Sequence, residues 1–432
     1  MTLVRRPVLG CIADDFTGAT DLASTLVKQG MTVVQLIGLP RASDPMPSVD
    51  AIVIALKSRT APAADAVRES LDALRWLQTA GCQQFFFKYC STFDSTDQGN
   101  IGPVADALID ALGCGFAIAC PAYPVNGRTV YQGHLFVGTA LLNESGMKDH
   151  PLTPMRDSNL VRVLSRQTEG TVGLVPHRIV ATGATPIRAA FATLKEQGRR
   201  YAIVDAISDS DLLAIGTALD GQALVTGGSG VALGLPENYR RHGLIRTDEP
   251  AGLPVVTGHA AVLAGSCSRA TLYQIGAARD RLPTLELDPV TTPDPTQLVQ
   301  QALAWARTRL SDIPLVISTS APPDRVAALH RQLGRDAASA MLEGVLADIA
   351  EGLVQCGVRR LLVAGGETSG AIVGRLGVRR LRIGAEIEPG VPWTLAEGDG
   401  LTLLLALKSG NFGGRDFFLE AFEQTPDTDV SR

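Results

Sequence analysis

Short apolar runs separated by longer amphipathic stretches recur along this chain, and no other feature restricts its fold as much. VLGCIA, TVVQLIG, AIVIAL, QFFFKYC, FAIAC, YAIVDA and ALVTG read as strands in the first part. Segments 63–79 and 102–112 place apolar residues at helical spacing. Strand and helix in turn call for mainly parallel sheets flanked by helices. Between 236 and 258 the pattern gives way to a polar stretch with Pro236, Pro250 and Pro254, which reads as a domain boundary. It then resumes with AAVLAG, a helix near 268–280, PLVIST, a helix over 336–356, RRLLVAGG, a helix over 368–376, LTLLLALKSG and a helix over 414–423. The expectation is an α/β protein of two domains: 1–240, a linker at 241–258, a second domain at 259–423 and a frayed tail at 424–432. The Leu/Ala-rich stripes at 68–77, 298–310 and 341–354 read as core faces.

A chain of 432 residues has length enough for two such domains. Hydrophobic residues make up 45% and charged residues 19%, which suits a large core and argues against disorder. A formal net charge of −5 offers no basic footprint for nucleic acid. No run of 18 apolar residues suggests a membrane span, and the N-terminal apolar segment is too short for a signal peptide. The seven cysteines are irregularly spaced without a CxxC pair, so a reduced, cytoplasmic protein is expected. The six histidines form no HxH or HExxH motif, and no metal site is expected.

In open α/β sheets ligands bind beyond the carboxyl ends of the strands, so the residues after each apolar run carry the information. In the first part these stretches are ADDFTGA, LKSRT, KYCSTFDST, CPAYPVNGRTVYQG and VTGGSG. They hold Asp14, Asp15, Lys57, Arg59, Lys88, Ser91, Asp94, Ser95, Asn126, Arg128 and Gly227 to Gly230. Acids, cations and hydroxyls in this mixture suit a small, hydroxylated anion such as a sugar acid. In the second part the corresponding stretches are LAGSCS, VAGGETSG and LKSGNFGG. Glycines before a helix let backbone N–H groups approach a phosphate, and Ser and Thr add hydroxyl donors. A polar-acid half and a phosphate half together suggest phosphoryl transfer. Asp14 or Asp15 would orient the accepting hydroxyl, and the other would cap the following helix, with the sequence leaving open which does which. Domain closure over both ligands would exclude water.

No G-x-x-x-x-G-K-[ST] motif is present, so this is no P-loop enzyme of the usual kind. GSGVALG at 228–234 loosely matches a dinucleotide-binding turn, which keeps an NAD-dependent oxidoreductase as an alternative. A sugar-acid sensor that only binds ATP is a third reading. Cys267 in GSCS reads as structural or ligand-lining, because no dedicated base accompanies it.

The stretches ADDFTGATD, LKSR, KYCSTFDST, NIGPV, PVNGRTVYQGHLFV, LVTGGSG, AGSCS, VAGGETSGAIV, IGAEIEPGVPW and ALKSGNFG closely resemble the four-carbon acid sugar kinase family, in particular its members acting on 3-oxo-tetronate. The resemblance runs from about residue 8 to 423. It implies an N-terminal sugar-acid domain, a C-terminal nucleotide domain, and transfer of a phosphoryl group from ATP, as Mg-ATP, to O4 of a 3-oxo-tetronate. D-threonate or D-erythronate is the alternative acceptor. Arg59, Lys88 or Arg128 would hold the substrate carboxylate, with Ser91 and Asp94 also at the substrate. ATP would contact Ser266, then Gly365, Gly366, Glu367, Thr368, Ser369 and Gly370, and finally Gly410. The implied partners are small molecules, with a homo-oligomer open.

Overall fold

The computed structural model describes residues 6–41, 44–150, 152–245, 252–398 and 401–425, which form two compact units, Met1–Pro250 and Ala251–Arg432. The tail from 426 onward and part of the expected linker, 246–251, lie outside the described residues.

Eleven strands are described in the first unit: β1 (Leu9–Ala13), β2 (Val33–Ile37), β3 (Ala51–Ala55), β4 (Gln84–Lys88), β5 (Ala117–Cys120), β6 (Arg128–Tyr131), β7 (His134–Val137), β8 (Ala140–Leu141), β9 (Val172–Val175), β10 (Tyr201–Val204) and β11 (Leu224–Gly227). Eight of them form a parallel sheet in the order β2-β3-β1-β4-β11-β5-β10-β9. β1 and β3 are buried along their whole length, which explains why they read as continuous apolar runs rather than alternating ones. Helices at Phe16–Lys28, Ala63–Ala80 and Ile101–Leu112 make the crossovers. The chain lays β3 on one side of β1 and β4 on the other. A crevice therefore opens at the carboxyl end of β1, where crossovers diverge to opposite sides.

β6, β7 and β8 form a separate antiparallel sheet, which the sequence reading does not foresee, and β9 is likewise additional. Asp205, wholly buried just beyond β10, ties this small sheet to the large one. Its carboxylate accepts from the backbone N–H groups of Gln132 (2.7 Å), Gly133 (2.8 Å) and His177 (2.9 Å).

The second unit contains β12 (His259–Ala264), β13 (Thr284–Glu286), β14 (Leu315–Ser318), β15 (Val358–Ala364), β16 (Arg380–Glu388), β17 (Val391–Gly398) and β18 (Leu401–Lys408). Their order is β13-β14-β12-β15-β18-β17-β16, parallel from β13 to β18, with β17 and β16 added antiparallel. β12 again has its successors on opposite sides, so a second crevice opens at its carboxyl end. Trp393 anchors the core with Phe417 and Phe418, and its indole N–H donates to the carbonyl of Ala421 at 3.0 Å. The expected helix over 414–423 is shorter than the sequence suggested: a four-residue α-turn at Phe417–Glu420 runs into a 3-10 turn at Ala421–Gln424. Gly413, just before the expected start, takes a left-handed φ of 83° that a helix does not continue through. The three apolar stripes face the core through Ala73, Leu74 and Leu77, through Leu298, Ala302 and Ala306, and through Val345, Ile349 and Leu353.

Candidate functional site

Two constellations occupy the two crevices. In the first unit, the backbone of Asp14 continues β1 for one residue, donating to the Lys88 carbonyl at 3.0 Å and accepting from Ser58 N at 3.0 Å. This brings the ends of β1, β3 and β4 together at one point. Arg59 lies at its centre. Its Nε donates to Asp14 Oδ2 at 2.9 Å, and its Nη2 donates to Asp14 Oδ1 and Asp15 Oδ1, each at 2.7 Å. Asp94 Oδ2 is 3.7 Å from Nη1. The turn carrying Arg59 is fixed by Asn100, whose Nδ2 donates to the carbonyls of Ser58, Arg59 and Ala61.

Asp15 is the residue that caps the helix. Its Oδ1 accepts from Gly18 N at 3.0 Å and its Oδ2 accepts from the Thr17 hydroxyl at 2.9 Å. Gly18 is needed for this arrangement rather than for a ligand: a Cβ there would fall 2.2 Å from Asp15 Oδ1 and 2.9 Å from Lys88 Nζ. The two carboxyls are electrostatically distinct. Burial pushes Asp14 above the usual carboxylate range, with Arg59 offsetting only part of the effect. Burial acts on Asp15 in the same sense, but Arg59, Lys88, Thr17 and the Gly18 amide outweigh it, and Asp15 ends below that range. Two neighbouring carboxyls driven in opposite directions are what an acid–base division of labour requires.

Lys88 is buried, and its Nζ donates to the Tyr89 carbonyl at 2.8 Å. Ser91 begins a turn that leads to Phe93 and Asp94, both with left-handed backbone (φ 66° and 46°). Left-handed geometry at a buried Phe is rare and is sustained here by packing against Tyr89, with ring centroids 5.5 Å apart. The Thr92 hydroxyl donates to Asp94 Oδ1 at 2.7 Å and sets the carboxylate toward Arg59. Arg128 is not joined to this cluster by any described contact. It starts β6, after the turn that follows β5, and its Nη1 donates to the carbonyl of Asn126. Arg128 Nε and Asn126 Nδ2 are both buried donors without a partner. Gly227, Gly228, Gly230 and Gly234 do not form a nucleotide turn. A Cβ at any of them would lie 2.3 to 2.7 Å from a backbone atom of Cys120, Pro121, Ala122 or Leu213, so these glycines serve close chain packing. This removes the structural basis of the dinucleotide alternative.

In the second unit, the glycine- and hydroxyl-rich stretches converge. A Cβ on Gly410 would meet Ser266 Oγ at 2.3 Å, and one on Gly265 would meet Thr368 Oγ1 at 2.3 Å. Gly365 adopts φ +135° and faces Ser266 N. Ser268 caps helix Arg269–Arg279, and its hydroxyl and that of Thr271 donate to the Gly410 carbonyl. Gly365 precedes helix Gly366–Arg375, whose first turn has no side-chain cap, leaving its amides for an anion. A cavity of about 490 Å³ opens here, lined by Ser266, Cys267, Gly365, Gly366, Glu367 and Thr368 among others. Ser369, Gly370 and Gly410 fall outside that lining: the Ser369 hydroxyl is wholly buried and donates to the Gly365 carbonyl at 2.6 Å, and Gly410 sits behind Ser266.

Three participants escaped the sequence reading. Lys408 ends β18 wholly buried, its Nζ donating to the carbonyls of Ser409 (3.1 Å), Gly410 (3.0 Å) and Phe412 (2.9 Å). Burial pulls its ammonium down to about 7, against a weaker opposing pull from Glu388. Thr319 and Ser320, beyond β14, line the cavity as well. PLVIST was readable as a strand, and the rule that ligands meet strand ends was the signal that could have found them. Among the described residues no group of His, Cys, Asp or Glu could by itself hold a metal ion, and no helix is long and apolar enough to cross a membrane.

Comparison with known proteins agrees with this division. A family described as a sugar-binding N-terminal domain matches residues 9–235, and one described as a nucleotide-binding C-terminal domain matches residues 261–418. A 3-oxo-tetronate kinase of Burkholderia multivorans is 59% identical over 96% of this chain and 97% of its own length. One from Cupriavidus necator is 55% identical over 98% of each. The crystal structure of a Salmonella typhimurium protein, provisionally called a tRNA synthase, superimposes with a TM-score of 0.88 at 44% identity, covering 97% of this chain and 99% of that one. Matched in both halves, and more than half identical to relatives along nearly its whole length, the chain belongs to the four-carbon acid sugar kinase family.

Proposed function

We propose that this protein is an ATP-dependent kinase that phosphorylates the 4-hydroxyl of a 3-oxo-tetronate, with residues 1–240 binding the sugar acid and 259–423 the nucleotide. The single observation that carries the reading is identity of 59% over nearly full length to a curated 3-oxo-tetronate kinase. The cavity lined by Ser266, Gly365, Gly366 and Thr368 supports the nucleotide assignment, and Gly410 packs directly against Ser266, where a Cβ would fall 2.3 Å from its Oγ.

Asp14 is the group that orients the acceptor hydroxyl and takes its proton. Both its oxygens already accept from Arg59, yet each keeps a second lone pair for the substrate. Asp15 holds the helix start and shares Arg59. Arg59 spends Nε and Nη2 on Asp14 and Asp15 and lies 3.7 Å from Asp94 through Nη1, so its role is to position these carboxylates rather than to grip the substrate. Lys88 adds positive charge beside the two aspartates, and Ser91 and Asp94 contribute polar contacts to the acid. The substrate carboxylate falls instead to Arg128 Nε and Asn126 Nδ2, the buried donors that lack partners. In the second unit the amides of Gly366, Glu367 and Thr368 and the Ser266 hydroxyl receive phosphate oxygens. Mg²⁺ bound with ATP neutralises phosphate charge and needs only one or two carboxylates besides phosphate and water; Glu367 lines the cavity where it would lie. All seven cysteines are free thiols, which suits a cytoplasmic enzyme.

The test is an ADP-release assay with Mg-ATP, comparing freshly generated 3-oxo-tetronate with D-erythronate, D-threonate and L-threonate. Turnover confined to the oxo acid is expected. Turnover with a reduced acid alone would refute the acceptor, and ATP binding without ADP release from any acid would refute the enzyme.

A further inference from the structure

The cavity of the second unit continues past the glycine loops. In register, Ala364 and Lys408 flank Ala264 on one side, and Ser318 and then Glu286 continue the row on the other. Thr319 and Ser320 follow Ser318, about one strand spacing, ~4.8 Å, from the Gly265–Ser266 turn. They are 2% and 7% exposed, and neither hydroxyl has a hydrogen-bond partner. Their backbone N–H groups are satisfied: Thr319 N donates to the Ala264 carbonyl at 2.9 Å, and Ser320 N donates to Ser318 Oγ at 2.9 Å. The two side-chain hydroxyls are left over, and they belong to residues lining the cavity. Buried hydroxyls without partners are costly unless a ligand completes them.

The wall beyond them selects the ligand. It carries Glu286, ion-paired with Arg279, and Asp288, ion-paired with Arg325 of the same wall, together with Val326 and Leu329. With the two acids engaged by arginines, Val326 and Leu329 are the side chains that suit an aromatic ring there. The glycine loops on one side of Thr319 and the apolar Val326 and Leu329 on the other give the cavity a direction. We infer that Thr319 and Ser320 form the ribose subsite, exchanging hydrogen bonds with the 2′- and 3′-hydroxyls of the nucleotide. The phosphates then lie toward Ser266 and Gly365, and the base lies over Val326 and Leu329. This rests on the ATP reading above and adds the orientation of the nucleotide and its requirement for ribose hydroxyls.

Calorimetric titration of the full chain with ATP, 2′,3′-dideoxy-ATP and inorganic tripolyphosphate tests it, on wild type, Thr319→Val and Ser320→Ala. Wild type should bind dideoxy-ATP about tenfold more weakly than ATP, the scale expected when a site built for hydroxyls is left unpaired. Each variant should lose about five- to tenfold toward ATP, little toward dideoxy-ATP and nothing toward tripolyphosphate. Equal wild-type affinity for ATP and dideoxy-ATP overturns the subsite, even if both variants fail to fold. A matching loss for tripolyphosphate assigns the hydroxyls to a phosphate and overturns it too. Wild type that binds no ATP at all overturns the kinase reading itself, a result distinct from either.

Discussion

Replacing Arg59 with Met leaves three carboxylates around an apolar side chain. Asp14 and Asp94 have side-chain exposures of 7% and 9%, and Asp15 of 26%, so water can rescue only the last in part. Removing one partner of a buried ion pair costs about 3–5 kcal/mol because the remaining charge is stranded. The Asp15 contact adds less, as expected for a partly exposed group. A loss of about 3–5 kcal/mol from the first unit at pH 8 is therefore expected. The pH dependence follows from the signs. Asp15 has a folded-state pKa below its unfolded value, so it contributes stability above the unfolded value and loses it as pH falls through the folded one. Asp14 is shifted the other way, so its ionisation costs stability as pH rises through its folded value. Without Arg59 both carboxyls titrate higher, and their protonation relieves the variant in acid. The gap between wild type and Arg59→Met should thus narrow from pH 8 to pH 5, and adding Asp14→Asn should recover part of the loss at pH 8. Urea unfolding read by hydrogen exchange in Leu9–Ala13 and Ala51–Ala55 reports the first unit separately. A loss under about 1 kcal/mol, flat with pH, would place Arg59 among weak surface pairs and return it to candidacy for the substrate carboxylate.

Asp14→Asn should lower kcat by about 10²–10⁴ with the fold intact, whereas Asp15→Asn should mainly lower stability, by no more than about 1 kcal/mol, since Asn still caps; steady-state kinetics beside thermal melts separate them. Gly410→Ala places a methyl 2.3 Å from Ser266 Oγ and should weaken ATP binding at least about tenfold, read as a reduced thermal shift with ATP. Arg128→Met should raise KM for the acid more than it lowers kcat, and a matching rise in KM for ATP would contradict its assignment. Lys408 sits near 7 when folded, against 10.5 unfolded, so it lowers stability below about pH 7 and the penalty fades as pH rises toward 10.5. The stability of wild type relative to Lys408→Met should accordingly increase between pH 7 and 10 in denaturant titrations, and a flat difference would refute the burial effect.

The parallel strands were legible because burial on both faces leaves an apolar run of strand length, as in AIVIA at β3. The residues after those runs were legible as candidates for the same reason, and Asp14, Ser266 and Gly365 lie where strand ends lead. What the sequence withheld is lateral. Arg59 lies 45 residues from Asp14, and only the placement of β3 beside β1 makes them partners. Sequence order likewise hides that β14 adjoins β12, so Thr319 and Ser320 did not register beside Gly265. Lys408 went unnoticed because no pattern marks a lysine whose acceptors are mostly the carbonyls of its own loop. The antiparallel β16 shows mixed exposure along its length, and alternation broken by bulges gives a weak strand signal.

The small sheet of β6, β7 and β8 is held by a few polar contacts: Asp205 accepting from the amides of Gln132 and Gly133, a pair of backbone bonds between Val130 and Ala206, and backbone bonds that join Gly133 and Leu135 to the 158–160 stretch. The residues proposed to read the substrate's carboxylate, Asn126 and Arg128, enter through this module, while Asp14 and its retinue are fixed by the large sheet. Recognition and chemistry are therefore carried on separately anchored pieces of chain. An insertion, deletion or graft between 124 and 150 can redraw which acid is admitted without disturbing the strand ends where the phosphoryl acceptor is activated, so divergence in acceptor choice among relatives is expected to concentrate in that segment.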